Sequence, residues 1–213
     1  MKFDKGSMLL YAVTDRAWTG KQTLAEQVEE SLKGGVTCLQ LREKHIEEAA
    51  FLAEAEQIKC LCKNYGVPFI INDSVSVALK CGADGVHIGQ EDMDAAEARK
   101  LLGSDKILGV SAQTVEQAIK AERDGADYLG VGAVFPTSTK TDAADVPRET
   151  LAAICSAVKI PVVAIGGINE GNIESLAGTG IAGIAVVSAI YAAEDIENEC
   201  IKLKKLSEKA VKL

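Results

Sequence analysis

The run "CLQLREKH", Cys38 to His45, gathers an amide, a guanidinium and an ammonium within five residues. In a strand the side chains alternate, so Cys38, Gln40, Arg42 and Lys44 share one side and Leu39 and Leu41 the other. The leucine side suits packing against a helix layer. Two cations at the end of a buried strand call for an anion, because an uncompensated buried charge is costly. A solvated surface pair is the plainer alternative. Two further runs, "IIND" (Ile70–Asp73) and "HIGQED" (His87–Asp92), each end in an acidic residue. Two hard carboxylates, Asp73 and Asp92, beside a phosphate suit Mg2+, which takes oxygen ligands and keeps some of its waters. Each could instead cap a helix, Asp73 one beginning at Ser74 and Asp92 one beginning near Met93. His87 has no second histidine close by and reads as a hydrogen-bonded structural residue.

Three more stretches carry chemistry. In "VAIGGI" (Val163–Ile168) the glycines expose backbone N–H groups, and "AVVSAI" (Ala185–Ile190) follows the next strand. A short helix after the second of them would aim its positive N-terminus at the same spot, an arrangement that holds a phosphate monoester. For Gly166 and Gly167 the alternative is a tight turn, and for Ser188 a helix cap. "VFPTSTKTD" (Val134–Asp142) is rich in hydroxyls and holds Lys140, which suits a polar lid over a phosphorylated substrate or an ordinary solvated loop.

The elements that must position these groups repeat one unit. Strands are expected at Leu9–Thr14, Thr37–Arg42, Pro68–Asn72, Gly85–Ile88, Ile107–Ser111, Tyr128–Phe135, Val162–Ile165 and Gly183–Val187. Helical runs lie between and after them at Leu24–Lys33, Glu47–Tyr65, Val75–Cys81, Ala95–Leu102, Val115–Asp124, Arg148–Val158, Ile173–Ala177 and Ile196–Lys209. "KGGVT", "KCGADGV" and "RDGADYL" each close a helix with glycine and restart a strand. Strict alternation implies a parallel sheet. Eight units in 213 residues imply a single α/β domain over 1–213, a closed (β/α)8 TIM barrel with a phosphate site after strands 7 and 8. An open doubly wound sheet usually has fewer units, and no G-x-G-x-x-G follows the first strand. In such barrels the active site lies at the C-terminal ends of the strands, where Thr14, Asp15, Arg16, Gln40, Arg42, Lys44, Asn72, Asp73, His87, Gln90, Asp92, Ser111, Thr137, Thr139, Lys140 and Ser188 all fall.

Composition narrows the partners. Hydrophobic residues make up 47% and aromatics 4%, so the core is aliphatic. A net charge of −8 argues against nucleic acid or an anionic membrane as the main partner. None of the six cysteines forms a C-x-x-C pair, and most read as small apolar core residues. "MKFDKGSMLLYAV" lacks a clear cleavage site, and "IAGIAVVSAIYAA" is too short to span a bilayer, so a cytoplasmic protein is expected.

In order and on their strands, "QLREK" (Gln40–Lys44), "IND" (Ile71–Asp73), "HIGQED", "GVS" (Gly109–Ser111), "PTSTK" (Pro136–Lys140), "IGGI" (Ile165–Ile168) and "VS" (Val187–Ser188) form a specific set. With it the chain resembles the thiamine-phosphate synthase family over nearly its whole length. That resemblance implies an Mg2+-dependent transferase of a non-methyl alkyl group. It would join hydroxymethylpyrimidine diphosphate to thiazole phosphate, giving thiamine phosphate and pyrophosphate through a dissociated carbocation. It also implies that Gln40, Arg42, Lys44, Asn72 and Lys140 hold the pyrimidine diphosphate and that Ser111 contacts the pyrimidine. Asp73 and Asp92 would bind Mg2+, and Thr137, Thr139, Gly167, Val187 and Ser188 the thiazole phosphate. Arg42, Lys44, Lys140 and Ser111 form the catalytic set. Two alternatives stand beside it. The related thiazole tautomerases share the barrel but typically lack the full diphosphate and metal set, which is present here. The other is a barrel that binds phosphorylated metabolites without catalysis. Gln113, in "SAQT", stands where many relatives have histidine and receives no role.

Overall fold

A computed structural model describes residues 4–20, 22–44, 46–137 and 145–212. Among them, eight short parallel strands close into a barrel: β1 (Leu10–Val13), β2 (Cys38–Leu41), β3 (Phe69–Asn72), β4 (Gly85–Ile88), β5 (Ile107–Ala112), β6 (Tyr128–Val131), β7 (Val162–Ile165) and β8 (Gly183–Val186). Each pairs with its sequence neighbours, and β8 returns to β1. The helices α1 (Leu24–Lys33), α2 (Glu48–Tyr65), α3 (Val75–Cys81), α4 (Ala95–Leu102), α5 (Val115–Arg123) and α6 (Arg148–Ala157) follow the first six strands in turn. A 3-10 turn, Ile173–Leu176, stands in the place after β7 where an α-helix is expected from the sequence. After β8 come a short helix, α7 (Ser188–Tyr191), and the long α8 (Ile196–Lys212).

Strand alternation sorts the core into two layers. Leu10, Ala12, Leu39, Leu41, Phe69 and Ile71 point outward and pack with the helix faces, where residues such as Val28, Ile58 and Leu203 are fully buried. Each such side chain contributes about 1.5–3 kcal/mol of burial. Tyr11, Val13, Cys38, Ile70, Tyr128, Val163 and Ala185 point inward and fill the barrel. Cys38 and Leu39 fall on opposite layers, the alternation expected of "CLQLREKH".

Several strands stop a residue inside their expected bounds, and β6 is cut back furthest. "YLGVGAVF" is apolar almost throughout and reads as strand to Phe135, but β6 ends at Val131. A Cβ at Gly132 would lie 1.9 Å from the Ile165 carbonyl oxygen, so the chain leaves the ladder there and hugs β7 with backbone alone. Val134 N–H donates to Ile165 O and Phe135 N–H to Gly166 O. Four of the six free cysteines are buried, Cys155 is partly buried and Cys60 is exposed. Among the described residues, no helix is long and apolar enough to cross a membrane.

Candidate functional site

The C-terminal ends of the strands open into a cavity of about 400 Å3. Gln40, Arg42, Lys44, Asn72, Asp73, Asp92, Ser111, Thr137, Gly167, Val187 and Ser188 all line it. Thr139 and Lys140 lie outside the described residues.

The strand-two cations are each met by a carboxylate. Thr14 continues β1 beyond its last paired residue and accepts the Arg42 N–H on its Oγ1 at 3.0 Å, which fixes the backbone where the guanidinium leaves it. Arg42 Nη1 then donates to Asp15 Oδ2 at 2.9 Å. A guanidinium carries five N–H donors, and this bond uses one. Lys44 Nζ lies 2.5 Å from Asp73 Oδ2. Between them, Glu43 turns the other way, with its Oε2 accepting from Arg16 Nε at 2.6 Å. Burial pushes the Glu43 carboxyl up despite Arg16, and Glu54, which shares that arginine, adds to the rise. The other Glu43 oxygen is buried without a hydrogen-bond partner.

Asp73 and Asp92 come together because β3 and β4 are adjacent, with Asn72 in register with His87. Neither caps a helix. Ser74 caps α3 through the Val77 N–H, and Asp94 caps α4 through the Ala96 N–H. Asp73 instead adopts a left-handed backbone, φ 62°, a conformation open to a short polar side chain. Its N–H donates to His87 O at 2.8 Å, which turns the chain at the barrel rim. Asp92 Oδ2 accepts from the Gly89 N–H at 2.7 Å. Burial raises the Asp92 carboxyl pKa, and the neighbouring Asp73 raises it further. Two carboxylates set against each other favour a cation between them. Among the described residues no group of three or more His, Cys, Asp or Glu side chains could hold a metal. Two oxygen donors with the remaining positions left to water and substrate fit Mg2+, which rarely takes an all-protein cage.

On the opposite wall, Gly166 and Gly167 have φ of 101° and 64°. A Cβ at Gly166 would lie 2.6 Å from Ala133, and one at Gly167 would lie 2.4 Å from the Pro136 carbonyl oxygen. These glycines therefore serve both the turn and a close approach of the segment after β6. Asn172 Nδ2 donates to Gly167 O at 2.9 Å and Asn169 Nδ2 at 3.2 Å. In a planar trans peptide the N–H of Ile168 then points away from the two amides. Ser188 opens α7, whose first N–H groups have no intrahelical acceptor.

Sequence reasoning missed the floor of the cavity. Tyr11 OH accepts from Gln40 Nε2 at 2.8 Å and lies 2.7 Å from Tyr128 OH. Tyr128 OH lies 2.9 Å from His87 Nδ1, and His87 Nε2 lies 3.0 Å from Ser111 Oγ. Inward parity on β1 and β6 was the available signal for the two tyrosines. His87 is hydrogen-bonded through both ring nitrogens, as its isolation from other histidines suggested.

Fold and site together define a (β/α)8-barrel protein whose polar groups gather at the C-terminal mouth, cations and carboxylates on one wall and a glycine turn on the other. A sequence model described as thiamine monophosphate synthase matches residues 10–190, and the chain belongs to that family. Thiamine-phosphate synthase of Clostridium tetani is 52% identical over 194 residues, 91% of this chain and 93% of its own. The thiamine-phosphate synthase of Ruminiclostridium cellulolyticum is 54% identical over 194 residues, 91% of this chain and 92% of its own. The solved structure of thiamine phosphate pyrophosphorylase from Pyrococcus furiosus superimposes with a TM-score of 0.90 at 40% identity, covering 97% of this chain and 98% of that one.

Proposed function

We propose that the chain is a thiamine-phosphate synthase that joins 4-amino-2-methyl-5-hydroxymethylpyrimidine diphosphate to 4-methyl-5-(2-phosphooxyethyl)thiazole, releasing pyrophosphate. The observation that carries this reading is the meeting, around one cavity, of the Arg42, Lys44, Asp73 and Asp92 cluster with the Gly167 and Ser188 turns.

Arg42, Lys44 and Asn72, with Lys140, hold the diphosphate. Gln40 and Ser111 hold the pyrimidine ring. Thr137, Thr139, Gly167, Val187 and Ser188 hold the thiazole phosphate. The C–O bond to the diphosphate breaks with both electrons leaving on oxygen, and the methylene cation that remains is delocalised into the aminopyrimidine. The thiazole nitrogen lone pair then forms the C–N bond. No side chain acts as a covalent nucleophile. Arg42 and Lys44 meet the charge that grows on the departing oxygen, a kind of stabilisation worth about 2–4 kcal/mol for each well-placed donor. Mg2+ held by Asp73 and Asp92 would supply the remaining charge neutralisation when bound. The two walls align the rings, and Val163, Ile165 and Ala185 between them leave little foothold for a water that would trap the cation.

The acidic balance of the chain supports small-molecule substrates, with no nucleic-acid or membrane partner, and its six free cysteines support work in a reducing cytoplasm. The test is to supply both substrates with Mg2+ and look for thiamine phosphate. Formation of that product supports the reading, and binding of both compounds without product refutes it.

A further inference from the structure

The hydrogen bonds under the cavity join five side chains from five strands in one line: Gln40, Tyr11, Tyr128, His87 and Ser111. Burial pushes the phenols of Tyr11 and Tyr128 well above their ordinary 10, so each hydroxyl keeps its single proton at neutral pH. Each phenol has one proton to give, and the Gln40 Nε2 has no lone pair to take it, so a line in which both phenols spend their protons runs away from Gln40. In that line Tyr11 donates to Tyr128 and Tyr128 to His87 Nδ1, across contacts of 2.7 and 2.9 Å whose geometry admits either donor. His87 then carries its proton on Nε2 and gives it to Ser111 Oγ. The Ser111 hydroxyl proton is left to point elsewhere, and the Gln40 Oε1 is left as an acceptor.

The backbone is cut to fit this line. A Cβ at Gly109 on β5 would lie 2.3 Å from Tyr128 OH and 2.5 Å from His87 Nδ1. One at Gly130 on β6 would lie 3.0 Å from His87 Cε1. Two barrel strands thus give up side chains where Tyr128 and His87 meet.

We propose that Tyr11, Tyr128 and His87 are positioning residues that form a one-directional hydrogen-bond line. It fixes Gln40 to present a carbonyl acceptor, and Ser111 to present a hydroxyl donor, to the substrate ring. A ring with an exocyclic amine beside a ring nitrogen offers the matching donor and acceptor. This recognition rests on the synthase reading, whereas the direction of the line does not. Tyr128 acts through His87 on Ser111 and touches no substrate itself.

The direction is tested by 15N NMR of histidine-labelled protein, which has only two histidines to assign. The expected wild-type His87 signal has a pyridine-type Nδ1 and a pyrrole-type Nε2, and Tyr128→Phe releases that tautomer into a mixture. A protonated Nδ1 in the wild type, whether alone or with Nε2, overturns the proposal. The consequence is tested by kinetics. Tyr128→Phe raises the pyrimidine-substrate KM roughly three- to ten-fold, the scale of one hydrogen bond, and leaves the thiazole-phosphate KM unchanged. In a Ser111→Ala background the same substitution adds less than about two-fold, because the group it acts through is gone. Equal effects on both substrates, or full additivity with Ser111→Ala, overturn it. Should the wild type turn over neither substrate, the synthase reading fails while the tautomer still decides the direction of the line.

Discussion

Asp15 Oδ2 accepts a hydrogen bond from Arg42 Nη1 at 2.9 Å, so a carboxylate just past β1 aims the guanidinium that follows β2. Its other oxygen caps a 3-10 turn, Arg16–Trp18, through the Ala17 N–H at 2.9 Å. Asp15→Ala removes both bonds, and Asp15→Asn can retain the cap while losing the charge. Asp15→Ala is expected to lower kcat/KM for the pyrimidine diphosphate roughly ten-fold, with Asp15→Asn falling between it and the wild type. The thiazole-phosphate KM should not move. Steady-state kinetics with each substrate varied in turn checks this, and a uniform loss on both substrates would assign Asp15 to the fold alone.

Asp73→Asn and Asp92→Asn are expected to raise the Mg2+ concentration needed for half-maximal rate by at least roughly ten-fold, the loss typical of even an outer-shell partner. Neither residue caps a helix, and asparagine tolerates the left-handed backbone of residue 73 as aspartate does. Both variants should therefore melt close to the wild type. Mg2+ titration of rate beside thermal melts is the measurement. Full wild-type activity in excess EDTA would remove the metal from the account.

Ser188→Ala is expected to raise the thiazole-phosphate KM roughly ten-fold or more, about what one hydrogen bond to a charged group contributes. The phosphate it would hold keeps its charge through the reaction, so binding is lost equally in ground and transition states and kcat stays near the wild-type value. A fall in kcat at constant KM would place Ser188 in the chemical step.

The parts of this site legible from sequence are those that depend on nearest neighbours. Alternation along β2 puts Gln40 and Arg42 on the inner side, and adjacency of β3 and β4 brings Asp73 to Asp92. The line from Gln40 to Ser111 was not legible, because Tyr11 and Tyr128 stand on β1 and β6, which do not pair, and meet only once the barrel closes. The capping alternative for Asp73 and Asp92 misses the observed caps, Ser74 and Asp94, by one or two residues for a local reason. Asp73–Ser74 and Asp92–Asp94 each offer two capping side chains, and the backbone at the barrel rim decides between them. The end of β6 was hidden because close approach to Ile165, not polarity, stops the strand at Val131.

Glu43 gives a pH signature. Burial raises its carboxyl above the ordinary 4.5, so between 4.5 and the raised value the folded chain binds more protons than the unfolded one. Stability contributed at this residue is then greatest at the acid end of that window and falls as pH rises through it. Glu43→Gln removes the titration. The difference in unfolding free energy between wild type and variant, measured by denaturant titration across the acid range, should shift against the wild type as pH rises. A difference that is flat, or of opposite slope, would mean that Arg16 outweighs the cost of burial.

The central claim is that both substrates meet and are joined in the one cavity. Phosphorus NMR of the wild-type protein with both substrates and Mg2+ tests it most directly. Thiamine phosphate and inorganic pyrophosphate are expected to accumulate together, one for one, with neither formed when the thiazole phosphate or the protein is left out. Spectra in which both substrates persist, or in which pyrophosphate rises without thiamine phosphate, would contradict the account.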